Sequence, residues 1–261
     1  MRAIASVLLL AASAPRLHAQ APLAGGLAGS SVELEGLYQT VSNGYGDWRG
    51  AYARLILPSE RNTLYLDALA LNAFNTHGLQ LGGTWRHDWT SRFFDVVGGS
   101  VGDGSAILPR ARVDGVLGAR LGDAREFQAT AGISYVKSVT ALHDVAATAS
   151  LAWYAPHGLV FEAGGRYNVS QPGDVSSHRL SGVVMWTPTA RRSFSLRAIG
   201  GSEGYQILSA GTTLFRFNST ELALAWREKV SASWALSLQG DHYANPYYTR
   251  AGVTIGVARY W

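Results

Sequence analysis

From residue 31 onward, apolar and polar side chains alternate with a period of two. Leu79, Leu81, Gly83, Trp85, His87 and Trp89 share one parity; Gln80, Gly82, Thr84, Arg86 and Asp88 share the other. Ala111, Val113, Leu117 and Leu121 stand against Arg110, Arg112, Asp114 and Arg120 in the same way. Successive side chains of a strand point to opposite faces, so each such segment has one greasy face and one polar face. The alternation predicts fourteen strands: 31–41, 48–57, 63–73, 79–89, 92–101, 110–121, 126–137, 143–154, 159–170, 177–187, 193–202, 219–228, 232–243 and 250–261. Their length suits a tilted strand that crosses a membrane. Connections fall into a short set (58–62, 90–91, 122–125, 156–158, 188–192, 229–231) and a generally longer set (102–109, 171–176, 203–218, 244–249). Short turns at one rim and longer loops at the other are the pattern of an outer-membrane barrel. Thr213, Phe215 and Phe217 within 203–218 read either as loop or as a bulged strand extension, which keeps twelve strands as the alternative.

The aromatic positions separate a membrane barrel from a soluble sandwich. Trp85, Trp89, Trp153, Trp186, Trp226, Trp234 and Trp261 take the apolar parity, and all but Trp85 sit next to a short turn or the C-terminus. Phe94, Phe127, Phe161 and Phe194 are assigned to the same belt, and Tyr38, Tyr135 and Tyr167 to a second belt at the opposite strand ends. Amphipathic rings favour the headgroup level, and two such girdles flank the apolar band of a membrane barrel. A sandwich core would concentrate its aromatics mid-strand.

The first segment has a different character. Residues 1–19 combine Arg2, a short apolar stretch and Ala19 at a cleavage-like position, which predicts a secretory signal peptide. Residues 20–30 then form a short periplasmic leader and residues 31–261 the barrel. Composition agrees with this reading. Charged residues make up 15% of the chain, low against about 25% for an ordinary soluble domain. The chain has no cysteine, so disulfides, zinc-thiolate sites and a cysteine nucleophile are excluded. Basic residues are scattered with no basic patch, which argues against nucleic acid. No cofactor is implied.

The polar parity lines an interior. Its charged candidates are Arg86, Asp88, Asp95, Arg110, Arg112, Asp114, Asp144, Glu162, Arg166, Arg179 and Arg197. Acids and bases are nearly balanced, so cross-strand Arg–carboxylate pairs are expected, Arg112 with Asp95 and Arg166 with Asp144 among them. A charged constriction that selects solutes is the functional alternative. At the loop rim Tyr45, Trp48, Tyr205, Tyr243, Tyr247 and Tyr248 are aromatic candidates, either for stacking on sugars or for loop packing. No histidine pair has metal-ligand spacing. His143–Asp144 and Asp241–His242 are sequence neighbours, whose side chains diverge in a strand. His178 lies near Ser176 and Ser177 and is open to a serine from another loop.

Gly44-Tyr45-Gly46-Asp47-Trp48, Leu108-Pro109-Arg110, Gly201-Ser202-Glu203-Gly204 and Asn245-Pro246-Tyr247-Tyr248 occur in an order that resembles the YaiO family of outer-membrane proteins. The resemblance implies a Gram-negative outer-membrane β-barrel without assigned catalytic residues, associated with surface-polysaccharide work. Relatives that look like fusions with helical-repeat or glycosyltransferase modules differ from this chain, whose residues before 31 have no room for one. The end, Ala258-Arg259-Tyr260-Trp261, resembles the aromatic-terminated signal read by the barrel-assembly machinery, with Trp261 as its key residue. Outer-membrane lipid, that machinery and a surface polysaccharide are therefore the expected partners. The functional expectation is a non-enzymatic barrel, a conduit linked to surface-polysaccharide export or envelope maintenance. The alternatives are a rim enzyme acting on lipid or peptide and a plugged structural or adhesive barrel.

Overall fold

The computed structural model describes residues 29–105, 107–138, 142–209 and 212–261. The expected signal peptide and nearly all of the leader lie outside the described residues. Fourteen strands form one closed antiparallel barrel in which each strand pairs with its sequence neighbours and β1 pairs with β14. They are β1 (Ser31–Val41), β2 (Trp48–Pro58), β3 (Asn62–Ala73), β4 (Thr76–Asp88), β5 (Phe93–Gly102), β6 (Ala111–Leu121) and β7 (Phe127–Lys137). The second half comprises β8 (His143–Ala155), β9 (Leu159–Gln171), β10 (Val175–Thr189), β11 (Arg192–Ser209), β12 (Thr212–Lys229), β13 (Trp234–Ala244) and β14 (Thr249–Tyr260). Closure leaves no unpaired sheet edge, as hydrocarbon requires.

The segment 203–218 is strand, not loop. Pairing of β11 with β12 continues from Glu203↔Phe217 to Ser209↔Thr212, so both strands run 18 residues and project beyond the others at the loop rim. This removes the twelve-strand alternative. Connections at this rim are also shorter than expected: β3 and β4 are joined by Phe74–Asn75 alone. Both residues have positive φ, 51° and 58°, the conformation of a type I′ hairpin turn. A phenylalanine rarely adopts that conformation. Here its ring is held edge-on by Trp48 at 5.0 Å, Tyr45 at 6.1 Å and Tyr248 at 6.2 Å. The longest connections, 42–47 and 103–110, lie at this rim, which we take as the outer one; β1 starts and β14 ends at the periplasmic rim.

The outward face is apolar. Leu117 and Ile133 are each 71% exposed, while Val116 next in sequence lines the lumen. Phe127, Trp153 and Phe161 stack along the periplasmic belt, as do Trp186 and Phe194. Tyr38, Tyr135 and Tyr167 stand exposed near the outer ends.

One strand departs from the expected parity. In β5 the register pairs Asp95 with Leu117 and Val97 with Gly115, which places Asp95 on the lipid side at the periplasmic belt. Asp95 is therefore not a lumen residue, and its expected pairing with Arg112 does not form. Phe94 turns inward and is buried, and Phe93 takes its place in the belt. The strand FFDVVGG is apolar on both faces at its start, so alternation alone does not fix its register. Space decides it: Gly118 faces the Phe94 ring so closely that a Cβ there would lie 2.0 Å from it.

Candidate functional site: a lumen in two halves

The luminal face is not uniform around the barrel. On β12–β14 and β1–β3 it is filled. Trp48, Leu71, Ala73, Phe217, Tyr243 and Tyr248 are buried together near the outer mouth. The connection 103–110 adds Ile107 and Leu108, both buried, to the same cluster. Asp103 folds it inward by accepting the N–H groups of Leu79 at 2.8 Å and Ser105 at 2.9 Å. Burial pushes the Asp103 carboxyl up, and those amide bonds outweigh it and hold the group below the usual carboxylate range.

Charges in this half are matched. Arg54 donates to Asp67 at 2.6 Å, and Arg227 to Glu33 at 2.7 Å. Gln39 donates to both oxygens of Asp241, with Arg250 at 3.9 Å. The Arg250 guanidinium also lies over the Trp48 ring at 4.6 Å and the Tyr243 ring at 5.2 Å. Cation–ring contacts of this kind strengthen when water is excluded.

The other half, β4–β11, holds a cavity of about 220 Å³. It runs from Arg86 and Phe94 near the periplasmic rim, past Asp114, Thr148 and Arg166, to Ser177 and Glu203 near the outer rim. Its floor is a stacked unit. Arg86 and Arg120 lie against the Phe94 ring, at 4.1 and 5.2 Å. Both donate to Asp88, Arg86 at 3.2 Å and Arg120 at 2.5 Å. At the outer end Glu203 is 1% exposed and accepts from the Ser219 hydroxyl and from the Tyr243 hydroxyl at 3.1 Å. Gly201 makes the close approach beside it possible: its φ is +142°, and a Cβ would meet the His178 carbonyl at 2.2 Å.

Of the charged candidates, Arg86, Arg112, Asp114, Asp144, Glu162, Arg166, Arg179 and Arg197 line this cavity, and Asp88 holds its floor. Arg110 is exposed at the outer rim. The expected Arg166–Asp144 pair is replaced by a relay: Arg166 donates to Asn168 and Asn168 to Asp144, each at 3.5 Å. Arg112 binds Asp114 of its own strand in a two-pronged contact. Among the rim aromatics, Trp48, Tyr243 and Tyr248 are buried, Tyr45 packs against them, and Tyr247 is exposed. Tyr205 donates to the Pro172 carbonyl at 2.8 Å. His178 meets a serine, but that serine is Ser202, 3.2 Å from Nδ1, on the outward face. Trp261 is exposed, and its backbone N–H donates to Ser30.

Three features were missed by alternation. Arg250 opens β14 with the parity of luminal Thr254, which was the available signal. Glu203 falls in the stretch 203–218 that alternation reads as a loop. The filled half was announced by Leu69-Ala70-Leu71, a stretch apolar on both faces, which is a signature of a strand buried on both sides.

Comparison with known proteins agrees with the architecture. In fold the chain is similar to the CymD monoaromatic hydrocarbon channel, with a TM-score of 0.63 at 8% identity, over 100% of this chain and 94% of that one. It is also similar to the Acinetobacter baumannii outer membrane protein Omp33, with a TM-score of 0.55 at 10% identity, covering 90% and 99%. A third likeness is to a loop-deletion form of OmpT of Vibrio cholerae, with a TM-score of 0.53 at 8% identity, covering 89% and 98%. These identities speak to fold alone. No curated protein matches the chain in sequence. The YaiO membrane beta barrel domain matches residues 30–206, well over half of the chain, and with the closed fourteen-stranded barrel this makes the protein a member of the YaiO family of outer-membrane β-barrels.

Proposed function

We propose that this protein is a narrow, non-enzymatic outer-membrane conduit that passes small polar solutes along the β4–β11 wall. The observation that carries this reading is the cavity, which extends from the Phe94 floor to Glu203 beside a half that is filled. A pore must bind its solute weakly enough to release it, and a wall of hydroxyls, amides and partly matched charges suits that. A role in surface-polysaccharide export or envelope maintenance rests on the family resemblance and would supply the cargo class. Cleavage after Ala19 and docking of the C-terminal strand, with Trp261, on the assembly machinery belong to the same proposal.

The test is a planar-bilayer recording on refolded protein. Small, stable steps with weak ion selectivity are expected, and Phe94→Ala should enlarge them. Silent membranes with correctly folded protein, before and after Phe94→Ala, would favour the second reading, a plugged structural barrel, which the Trp48 cluster supports. Among the described residues the contact that supports a rim enzyme is Ser202 with His178. Among the described residues no carboxylate hydrogen-bonds to His178, so the base lacks the orienting group of a nucleophilic triad.

A further inference from the structure

We infer that Arg112, Arg166 and Arg179 form a binding site for a small oxyanion, a carboxylate or phosphate group on a solute, midway down the open half of the lumen. The inference deepens the conduit reading and rests on it for the solute's route to the site. Arg166 of β9 and Arg179 of β10 are direct cross-strand partners, both on the luminal face. Like charges directly opposite one another destabilise a sheet, so the pair calls for a compensating group. The charges of Arg112 and Arg179 repel that of Arg166, against the attraction of Asp114 and Asp144.

Among the described residues the donors of these arginines are not used up. Arg179 is 8% exposed, yet its Nε and Nη2 have no hydrogen-bond partner, and Glu203 lies 3.8 Å from Nη1, beyond hydrogen-bond reach. Arg112 is also 8% exposed; its Nε and Nη2 hold Asp114, and Nη1 has no partner. Among the described residues Arg166 has no ion pair within 4 Å and a 3.5 Å contact with Asn168. Buried donors without acceptors are costly. Of the acids in the cavity, Asp114 is held by Arg112 and Asp144 accepts from Asn168; Glu203 accepts from Ser219 and Tyr243 through Oε1 and keeps Oε2 free, and Glu162 lies nearer the periplasmic rim. Between the arginines the wall is small and polar, with Gly164, Thr148, Ser150 and Ser181 leaving the cavity open and the unpartnered Ser134 hydroxyl nearby. A planar guanidinium matches carboxylate and phosphate oxygens two at a time. An oxyanion in the cavity would offer these donors the acceptors they lack.

The experiment is equilibrium dialysis of refolded full-length barrel in detergent against labelled inorganic phosphate and, separately, labelled glucuronate. Saturable binding of at least one of them, about one per barrel, is expected. Arg166→Gln and Arg179→Gln should each weaken it at least tenfold, and Arg61→Gln, in an exposed turn, should leave it unchanged. The bound probe should also raise the unfolding midpoint of the wild type and not of Arg166→Gln, because only a ligand held by the folded state stabilises it. Heat-dependent gel mobility checks assembly; if Arg179→Gln does not assemble, Arg166→Gln decides, since Arg166 has no ion pair to lose. No saturable binding of either anion, or equal binding by Arg166→Gln, overturns the site. Binding without conductance would sink the conduit and leave the site standing; conductance without binding would do the reverse.

Discussion

The two halves of the lumen are built from the same alternating strands and differ in what surrounds their arginines. In the filled half each luminal arginine has a carboxylate within 4 Å, and Arg250 also has the faces of Trp48 and Tyr243. In the open half Arg86, Arg112, Arg120, Arg179 and Arg197 also have one within 4 Å, but among the described residues Arg166 has none, and Arg179 keeps two unpartnered nitrogens. The difference follows from what stands opposite. Leu71, Ala73, Leu108 and Phe217 exclude water from one side, where an unpaired charge would be intolerable. Gly164, Ser150 and Thr148 leave room for water or solute on the other. The filled half is thus marked by packing against its paired charges, and the open half by the cavity around Arg166 and the free nitrogens of Arg179.

Substitutions should break the two halves differently. The largest effect is expected in the filled half: Trp48→Ala removes a ring that is 2% exposed and should cost about 3–5 kcal/mol, read as a lower denaturant midpoint. It should also raise conductance by opening the mouth. Next is the contrast between lipid and lumen. Leu117→Arg places a charge on the lipid face and should cost about 2–4 kcal/mol in refolding, while Val116→Arg, facing the cavity, should cost far less.

That second contrast is one the sequence already supports, because β6 alternates cleanly and its polar residues are charged. Where both parities are apolar, alternation loses its power. In β5 the pair Phe93-Phe94 allows either register, and only the space over Gly118 selects the inward Phe94. Leu69-Ala70-Leu71 likewise hides a plug that only tertiary structure reveals. The strand order, the belts and most luminal charges were therefore legible. Their pairings were not, since alternation gives the face of a residue but not its height, and Arg112 chose Asp114 two residues along its own strand.

A smaller effect is expected at the floor of the open half. Phe94→Ala removes the ring between Arg86 and Arg120 and should widen the periplasmic opening. Conductance should rise, and because the Arg86 and Arg120 contacts with Asp88 remain, the stability change should stay below that of Trp48→Ala. The smallest effect concerns acid. The Asp103 carboxyl is held below its usual range in the folded protein, so its anchoring of 103–110 is present at neutral pH. That anchoring is lost as pH falls through its depressed value, below the usual carboxylate range. Current noise should rise there, and Asp103→Asn should show the same noise at neutral pH.

The chain contains no cysteine, so single cysteines can report directly on the division of the lumen. The decisive measurement is the labelling rate of Val116→Cys and Ser150→Cys, in the open half, against Leu71→Cys and Ala73→Cys, in the filled half, using a small charged thiol reagent on assembled barrels. The division predicts fast labelling of the first pair and protection of the second until the barrel is unfolded. Equal rates at all four positions, or fast labelling of Leu71→Cys and Ala73→Cys in folded barrels, would contradict it.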